Sequence, residues 1–292
     1  MMLPQYLAQH VEQLLGSYLS KTEPCQGGCI SQAAVVSCAD GSKCFVKWNF
    51  DSSPGMFTAE ARGLHELGRV GALKVPEVMS VVERAGADEP AAIIMEALTP
   101  AVERTSTDSA ALGRGLAKLH RHQAENFGFE SANHIGELPQ YNDFAESWGE
   151  FFYKYRLQSQ AEIATTRGWL DESSADLLKS KRESIMTALN EHSPTPSLLH
   201  GDLWSGNVFW STDGPALIDP AVYYGCREAD IGMTQCFGRF DQEFYIAYNE
   251  EFPLSEGFAQ RIEILNLYHL MTHANMFGGG YASSAKQRLK EI

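Results

Sequence analysis

The sequence predicts an α+β protein in two parts: a small antiparallel sheet carrying one key helix, then a mostly α-helical part. Three observations lead there. Short β-rich runs separated by turn signals crowd the first part. Apolar residues at helical spacing dominate from Thr99 on. The change of character falls between Ala97 and Pro100, which sets a first part over 1–97 and a second over 98–292.

The elements follow in order. "MMLPQYLAQHVEQLLGSYL" reads as an amphipathic helix, with Leu3, Leu7, Val11, Leu14, Leu15 and Tyr18 on one stripe. Two β-rich runs, Ala33 to Cys38 and Lys43 to Trp48, flank "ADGS", and Asp-Gly between such runs signals a hairpin. "MFTAEARGLHELGRV" reads as a helix with Phe57, Ala61, Leu64 and Leu67 on one face. "EVMSVVER" and "AAIIMEAL" read as two more strands around the polar turn "AGADEP".

The second part is read as helices over "SAALGRGLAKLHRHQ", "NDFAESWGEFFYKYRLQSQAEIATTRGWL" and "DESSADLLKSKRESIMTALNEH", the last with Asp171 or Ser173 as N-cap. "PTPSLL" breaks the run. "VFW", "STDG" and "PALID" suggest a short hairpin. Four further helical segments complete the chain, from "READIGMTQCF" to "SSAKQRLKEI".

Bulk numbers narrow the function. The 292 residues are 44% hydrophobic and 21% charged, ordinary for a globular protein. A net charge of −14 argues against a nucleic-acid partner, since phosphates need clustered Lys and Arg, but tolerates an amine-bearing substrate. No run is long and apolar enough for a membrane span, so no membrane partner is expected. The N-terminus lacks the basic start and unbroken apolar core of a signal peptide. Six cysteines occur without a CxxC pair, so reduced thiols in the cytoplasm are expected rather than a zinc site.

The chemistry concentrates in "LLHGDLWSGNVFW". Asp202 on this loop can take a proton from a hydroxyl. Asn207, five residues on, can turn back and offer its amide oxygen to a hard cation, and Asp219 ends the apolar run "ALID". Asn, Asp and phosphate oxygens suit Mg²⁺. A base beside magnesium is the equipment for phosphoryl transfer from a nucleotide to a hydroxyl. Upstream, Lys47 sits inside the strand "CFVKW" and Glu60 on the helix after it, the pair that positions nucleotide phosphates in protein-kinase-like enzymes. "QGGCIS" precedes the first hairpin, where a phosphate-covering turn belongs, with Gly28 and Cys29 facing the nucleotide.

"HGDLWSGN" with "IDPAVYYG" resembles the fructosamine (ketosamine) kinase family, within the aminoglycoside-phosphotransferase-like branch of the kinase fold. "GGCISQA", "FVKWN", "AEARGL", "IIMEAL", "NFGF", "SWGEFFYKYRLQSQ" and "NLYHLMTHANMFGGGY" extend the likeness over nearly the whole chain, and Trp204 separates this group from other small-molecule kinases. The resemblance implies a two-lobed protein-kinase-like fold. It implies ATP-dependent phosphorylation of a sugar hydroxyl on ketosamines, free or protein-bound, and so deglycation. Asp202 would be the catalytic base, Asn207 and Asp219 the Mg²⁺ ligands, and Lys47 with Glu60 the phosphate anchor. Met95, Glu96 and Ala97 would be the adenine-binding hinge, acting through backbone groups, and His200 would orient the loop.

Other readings stay open. Trp148, Phe152 and Arg156 share one helix face, as a core stripe or as a wall of the sugar site with Trp204. His273, Asn275 and Phe277 are candidates to close the same pocket. Cys29, in the phosphate loop, is a candidate redox switch or link between two otherwise monomeric chains. Asp230 follows Asp219 by only eleven positions, which leaves no room for a long activation segment; Asp230 is read as structural. The rivals are a kinase of the aminoglycoside or choline type and a nucleotide-binding pseudokinase.

Overall fold

A computed structural model describes residues 3–25, 31–84, 86 and 88–292. Gly28 and Cys29, read above as the nucleotide loop and a redox switch, lie outside the described residues.

The chain opens with α1 (Gln5–Leu15), then β1 (Leu19–Pro24), β2 (Gln32–Cys38), β3 (Lys43–Asn49), α2 (Met56–Val70), β4 (Val78–Val82) and β5 (Ala91–Glu96). The strands form one antiparallel sheet in the order β1-β2-β3-β5-β4. Strand side chains alternate between faces, and the sheet is covered on both. Cys44, Val46 and Trp48 of β3 meet Leu3, Leu7 and Val11 beside α1. Phe45 points the other way, among Phe57 and Leu64 of α2 and Ile93 and Met95 of β5. Lys47 shares that second face, and the period of two therefore aims it at α2. The N-terminal stripe extends less far than its spacing suggests: Leu14 is partly exposed and Tyr18, past the helix-ending Gly16, is 79% exposed.

The rest is mainly helical. In chain order come α3 (Ser106–His120), β6 (Asn133–Ile135), β7 (Leu138–Gln140), α4 (Trp148–Phe152), α5 (Ser159–Thr166), α6 (Glu172–Ser180) and α7 (Arg182–Asn190). Then follow β8 (Ser197–Leu199), β9 (Val208–Ser211), β10 (Gly214–Leu217), β11 (Tyr223–Gly225), α8 (Glu228–Cys236), α9 (Gln242–Glu251), α10 (Phe258–Phe277) and α11 (Gly279–Glu291). The hairpin read at "VFW…PALID" is β9 with β10. A capping box at Thr105 and Asp108 starts α3, and Asp171 caps α6 by accepting the Ser174 N–H. The stretch read as one helix after Asp171 breaks at Lys181 into α6 and α7.

Tyr153–Gln158, between α4 and α5, is a π-helical segment, which widens the turn. Arg156 lies on it, fully buried. Its guanidinium sits over the Tyr223 ring at 4.0 Å and the Phe151 ring at 4.7 Å, and donates to Tyr141 O and Asn142 Oδ1. Trp148, 1% exposed, packs against Phe127, Phe152 and Tyr223. This corrects the reading of Trp148 and Arg156 as walls of a sugar site. Both are core residues, held away from the cleft by the rings around them.

Candidate active site

A cavity of about 310 Å³ opens between the sheet and the helical part, lined among others by Lys47, Glu60, Asp202, Trp204, Asn207 and Asp219. Residues from opposite ends of the sequence meet there because three short segments are held against one another.

The first is the strand–helix pair. Lys47 Nζ lies 3.0 and 2.9 Å from the two Glu60 oxygens and 3.0 Å from Asp219 Oδ1. Burial alone would lower the lysine pKa, but Asp219 and Glu60 hold it above its ordinary value. Glu60 is pushed up to about 7, chiefly by burial and against the pull of Lys47, with Asp219 adding to the rise. Two carboxylates thus share one cation. Helix α2 comes close enough for this because Gly63 carries no side chain: a Cβ there would stand 3.2 Å from Pro220.

The second segment is the loop from His200 to Asn207. Strand β8 ends at Leu199 and pairs with β11, which fixes where the loop starts. His200 Nε2 donates to Ile218 O at 2.9 Å, while its Nδ1 accepts the Asp202 N–H. Burial keeps this ring neutral, below its usual pKa. His200 therefore orients the loop. Gly201 takes φ +83°, and a Cβ there would lie 2.0 Å from Ala221 O. Gly206 lies under the Trp204 ring, where a Cβ would meet the indole at 2.3 Å, so the tryptophan lies flat over the turn Ser205–Asn207.

Asp202 and Asn207 are locked together. Asn207 Nδ2 donates to Asp202 O at 2.8 Å and to Asp202 Oδ2 at 3.1 Å, which leaves the amide oxygen of Asn207 as a lone-pair donor. Asp202 is pushed up to about 7 by burial, which outweighs the Asn207 hydrogen bond; Asp219 and Asp230 add negative charge nearby. The third segment carries Asp219, a non-glycine at φ +53° just past β10. The Ile218 N–H donates to Asn207 O, so the two segments are stitched where these side chains converge.

The sequence reading missed part of this cavity. Asn133, His134, Phe237, Met276 and Tyr281 also line it, with His273 and Phe277. Asn275 does not: its amide bonds Gln160 and Trp169 on the opposite side of α10. The segment Met95–Ala97 lies off the cavity. Met95 is buried under α2, the Glu96 N–H is already given to Glu77 O, and the Glu96 carboxylate bonds Lys74. The Glu96 N–H is therefore already used and is not available for a backbone contact to a nucleotide. Asp230 is structural, as expected: its carboxylate accepts the N–H groups of His200 and Gly201.

Comparison with known proteins finds relatives over nearly the whole chain. The family model described as fructosamine kinase matches residues 3–292. A probable ketoamine kinase of Enterococcus faecium is 39% identical, across 93% of this chain and 95% of the relative. The crystal structure of a putative fructosamine-3-kinase from Thermobifida fusca superposes with a TM-score of 0.87 at 31% identity, covering 99% of this chain and 98% of that one. An aminoglycoside phosphotransferase, at 14% identity, a TM-score of 0.62 and 97% coverage of both chains, shares the fold alone. The fold is thus two-lobed and kinase-like, and the chain belongs to the fructosamine kinase family.

Proposed function

We propose that this chain is an ATP-dependent kinase that phosphorylates a sugar hydroxyl of a ketosamine, the adduct of a sugar with an amine, and so promotes removal of the adduct. The observation that carries the reading is the meeting of Lys47, Glu60 and Asp219 within 3.0 Å on the cavity that also holds Asp202 and Asn207. Residues 1–97 act as the nucleotide lobe and 98–292 as the catalytic and substrate lobe.

In this reading Lys47, steered by Glu60, holds the α- and β-phosphates of ATP. Asp202 accepts the hydroxyl proton, and burial has already raised its affinity for one. The amide oxygen of Asn207 and the Asp219 carboxylate are hard oxygen donors on adjoining segments, a donor set that fits Mg²⁺. Mg²⁺ held there would neutralise charge on the transferring phosphate. Trp204 offers an indole face to the sugar. Every residue invoked belongs to one chain, so a monomer suffices. No helix among the described residues is long and apolar enough to cross a membrane, and with a charge of −14 the enzyme acts on small or protein-bound adducts rather than nucleic acid.

The test is ATP consumption over fructosamine, ribulosamine and erythrulosamine adducts, with Asp202→Asn as control. Turnover of at least one adduct, lost in the variant, is expected. Turnover of aminoglycosides or amino alcohols alone, or nucleotide binding with no turnover, overturns the reading.

A further inference from the structure

The cavity has two unlike halves. One is the charged cluster of Lys47, Glu60, Asp202, Asn207 and Asp219. The other is an aromatic rim where α8, α10 and α11 meet. There the His273 ring lies 4.0 Å from Phe237, 5.2 Å from Tyr281 and 5.7 Å from Phe277, centroid to centroid. His273 Nδ1 donates to the His269 carbonyl at 2.9 Å. Burial lowers its pKa, so the ring is neutral at pH 7 and Nε2 carries a lone pair. Phe277 is half exposed and Tyr281 is 38% exposed, unlike the many rings in this chain that are packed away.

Beyond the rim lies a second cavity of about 300 Å³, which shares Met56, Met276 and Phe277 with the first. Its walls are polar: Asn49, Asp51, Ser52, Ser53 and Glu137. Glu137 is paired with Arg167 at 3.5 Å, while Asp51 is exposed at the same recess.

We propose that the amine half of the substrate crosses the aromatic rim and settles in this acidic recess, so that the enzyme selects adducts whose amine carries a second positive charge on a flexible chain. This rests on the kinase reading above and names the substrate class for the same site. The nitrogen of a ketosamine is a secondary ammonium at neutral pH. Aromatic faces attract such a cation, and a neutral His273 can accept its N–H where a protonated ring would repel it. A charge further along the amine finds no partner in the first cavity. There Glu60 and Asp219 are paired with Lys47, and Asp202 is given over to the hydroxyl. Asp51 and Glu137 lie across Met276 and Phe277, where an alkyl chain leaving the rim emerges.

The test compares fructose adducts of methylamine, of diaminopentane and of aminohexanoate, which share the sugar and differ in the tail. At low salt, kcat/KM for the diaminopentane adduct should exceed that for the aminohexanoate adduct about five-fold, the size expected of partly exposed charge pairs. The ratio should shrink as ionic strength rises. Asp51→Asn should lower the ratio, and this exposed position avoids a folding defect. Phe277→Ala should raise KM for the diaminopentane adduct more than for the methylamine adduct. Equal kcat/KM for the two long tails, with the methylamine adduct still phosphorylated, overturns the recess and leaves the kinase reading standing. Phosphorylation of none of the three overturns the recess, and it overturns the kinase reading as well when the ribulose and erythrulose adducts are also refused.

Discussion

The His200 backbone N–H donates to the Asp230 carboxylate at 2.7 Å, across thirty residues of sequence. The other Asp230 oxygen accepts the Gly201 N–H at 2.9 Å, and His120 Nε2 reaches the first oxygen at 3.1 Å. Burial alone would raise the pKa of Asp230, but these donors hold it below the usual carboxylate value. The carboxylate is thus the fixed point from which the loop bearing Asp202 hangs.

Asp230→Ala should therefore lose both stability and turnover. Removing the carboxylate leaves the buried donors around it unpaired, at about 1–3 kcal/mol each. A loop displaced by an ångström should lower kcat about 100-fold. Thermal unfolding and single-turnover kinetics on the same preparation check the two effects.

Lys47→Met should lower kcat about 100-fold or more, the scale seen when one preorganised charge is removed from a transition state. Glu60→Gln should cost less, about ten-fold, because the Asp219 carboxylate still holds the ammonium and one charged hydrogen bond contributes about 1.5–3 kcal/mol. Steady-state kinetics with ATP varied separates the two. Equal losses would show that Asp219 does not hold Lys47 in solution.

Trp148→Ala should lower stability by about 3–5 kcal/mol, as for other large-to-small changes in a packed core. Its KM for the sugar adduct should stay near that of the parent, because the indole is buried beneath Tyr223 and Phe152. Denaturant unfolding and KM, measured together, decide between core and sugar-site roles.

Gly113→Ala tests the seam between α3 and α9, far from the chemistry. A Cβ at 113 would stand 2.3 Å from Phe244 O, so the helices must part. A loss of about 1–3 kcal/mol is expected, with kcat little changed.

Acid should unfold the protein earlier than its carboxylates alone would suggest. His120, His200 and His269 are buried and held neutral, each with its pKa below the ordinary 6.5. Below 6.5 the unfolded chain takes up protons that the folded chain refuses. The stability these rings contribute is complete above 6.5 and is lost as pH falls from there. Glu60 and Asp202, both raised to about 7, act in the opposite sense, since the folded chain protonates them first. The histidines outnumber them, so Tm should fall from pH 6.5 to pH 5. His120→Gln, which can still donate to Asp230, should flatten that slope by up to about 1.4 kcal/mol per pH unit.

How far the sequence spoke depended on length and on polarity. Helix α2 spans Met56–Val70, the segment its apolar spacing outlined, and the β2–β3 hairpin sits around the Asp-Gly turn. Lys47, Glu60, Asp202, Asn207 and Asp219 were legible as a set, by their order along the chain, since a strand lysine or a helix glutamate alone reads as a solvated side chain. The three-residue strands β6, β7, β8 and β11 were not legible, since so short a run has no period to read. Periodicity also cannot say what lies opposite a face. It put Trp148 and Arg156 on a stripe correctly, but the stripe meets Tyr223 and Tyr268 rather than a sugar. Phe237 and Tyr281 stand at helix ends far apart in sequence, and only the tertiary fold brings both to His273.

Between Asp219 and Asp230 the chain has nowhere to swing. Pro220, Ala221, Val222, Tyr223, Gly225 and Cys226 are buried, and β11 is hydrogen-bonded to β8. No modifying enzyme can reach the Tyr223 hydroxyl without unfolding the lobe around it. Among the described residues, this stretch therefore offers no phosphorylation switch at Tyr223.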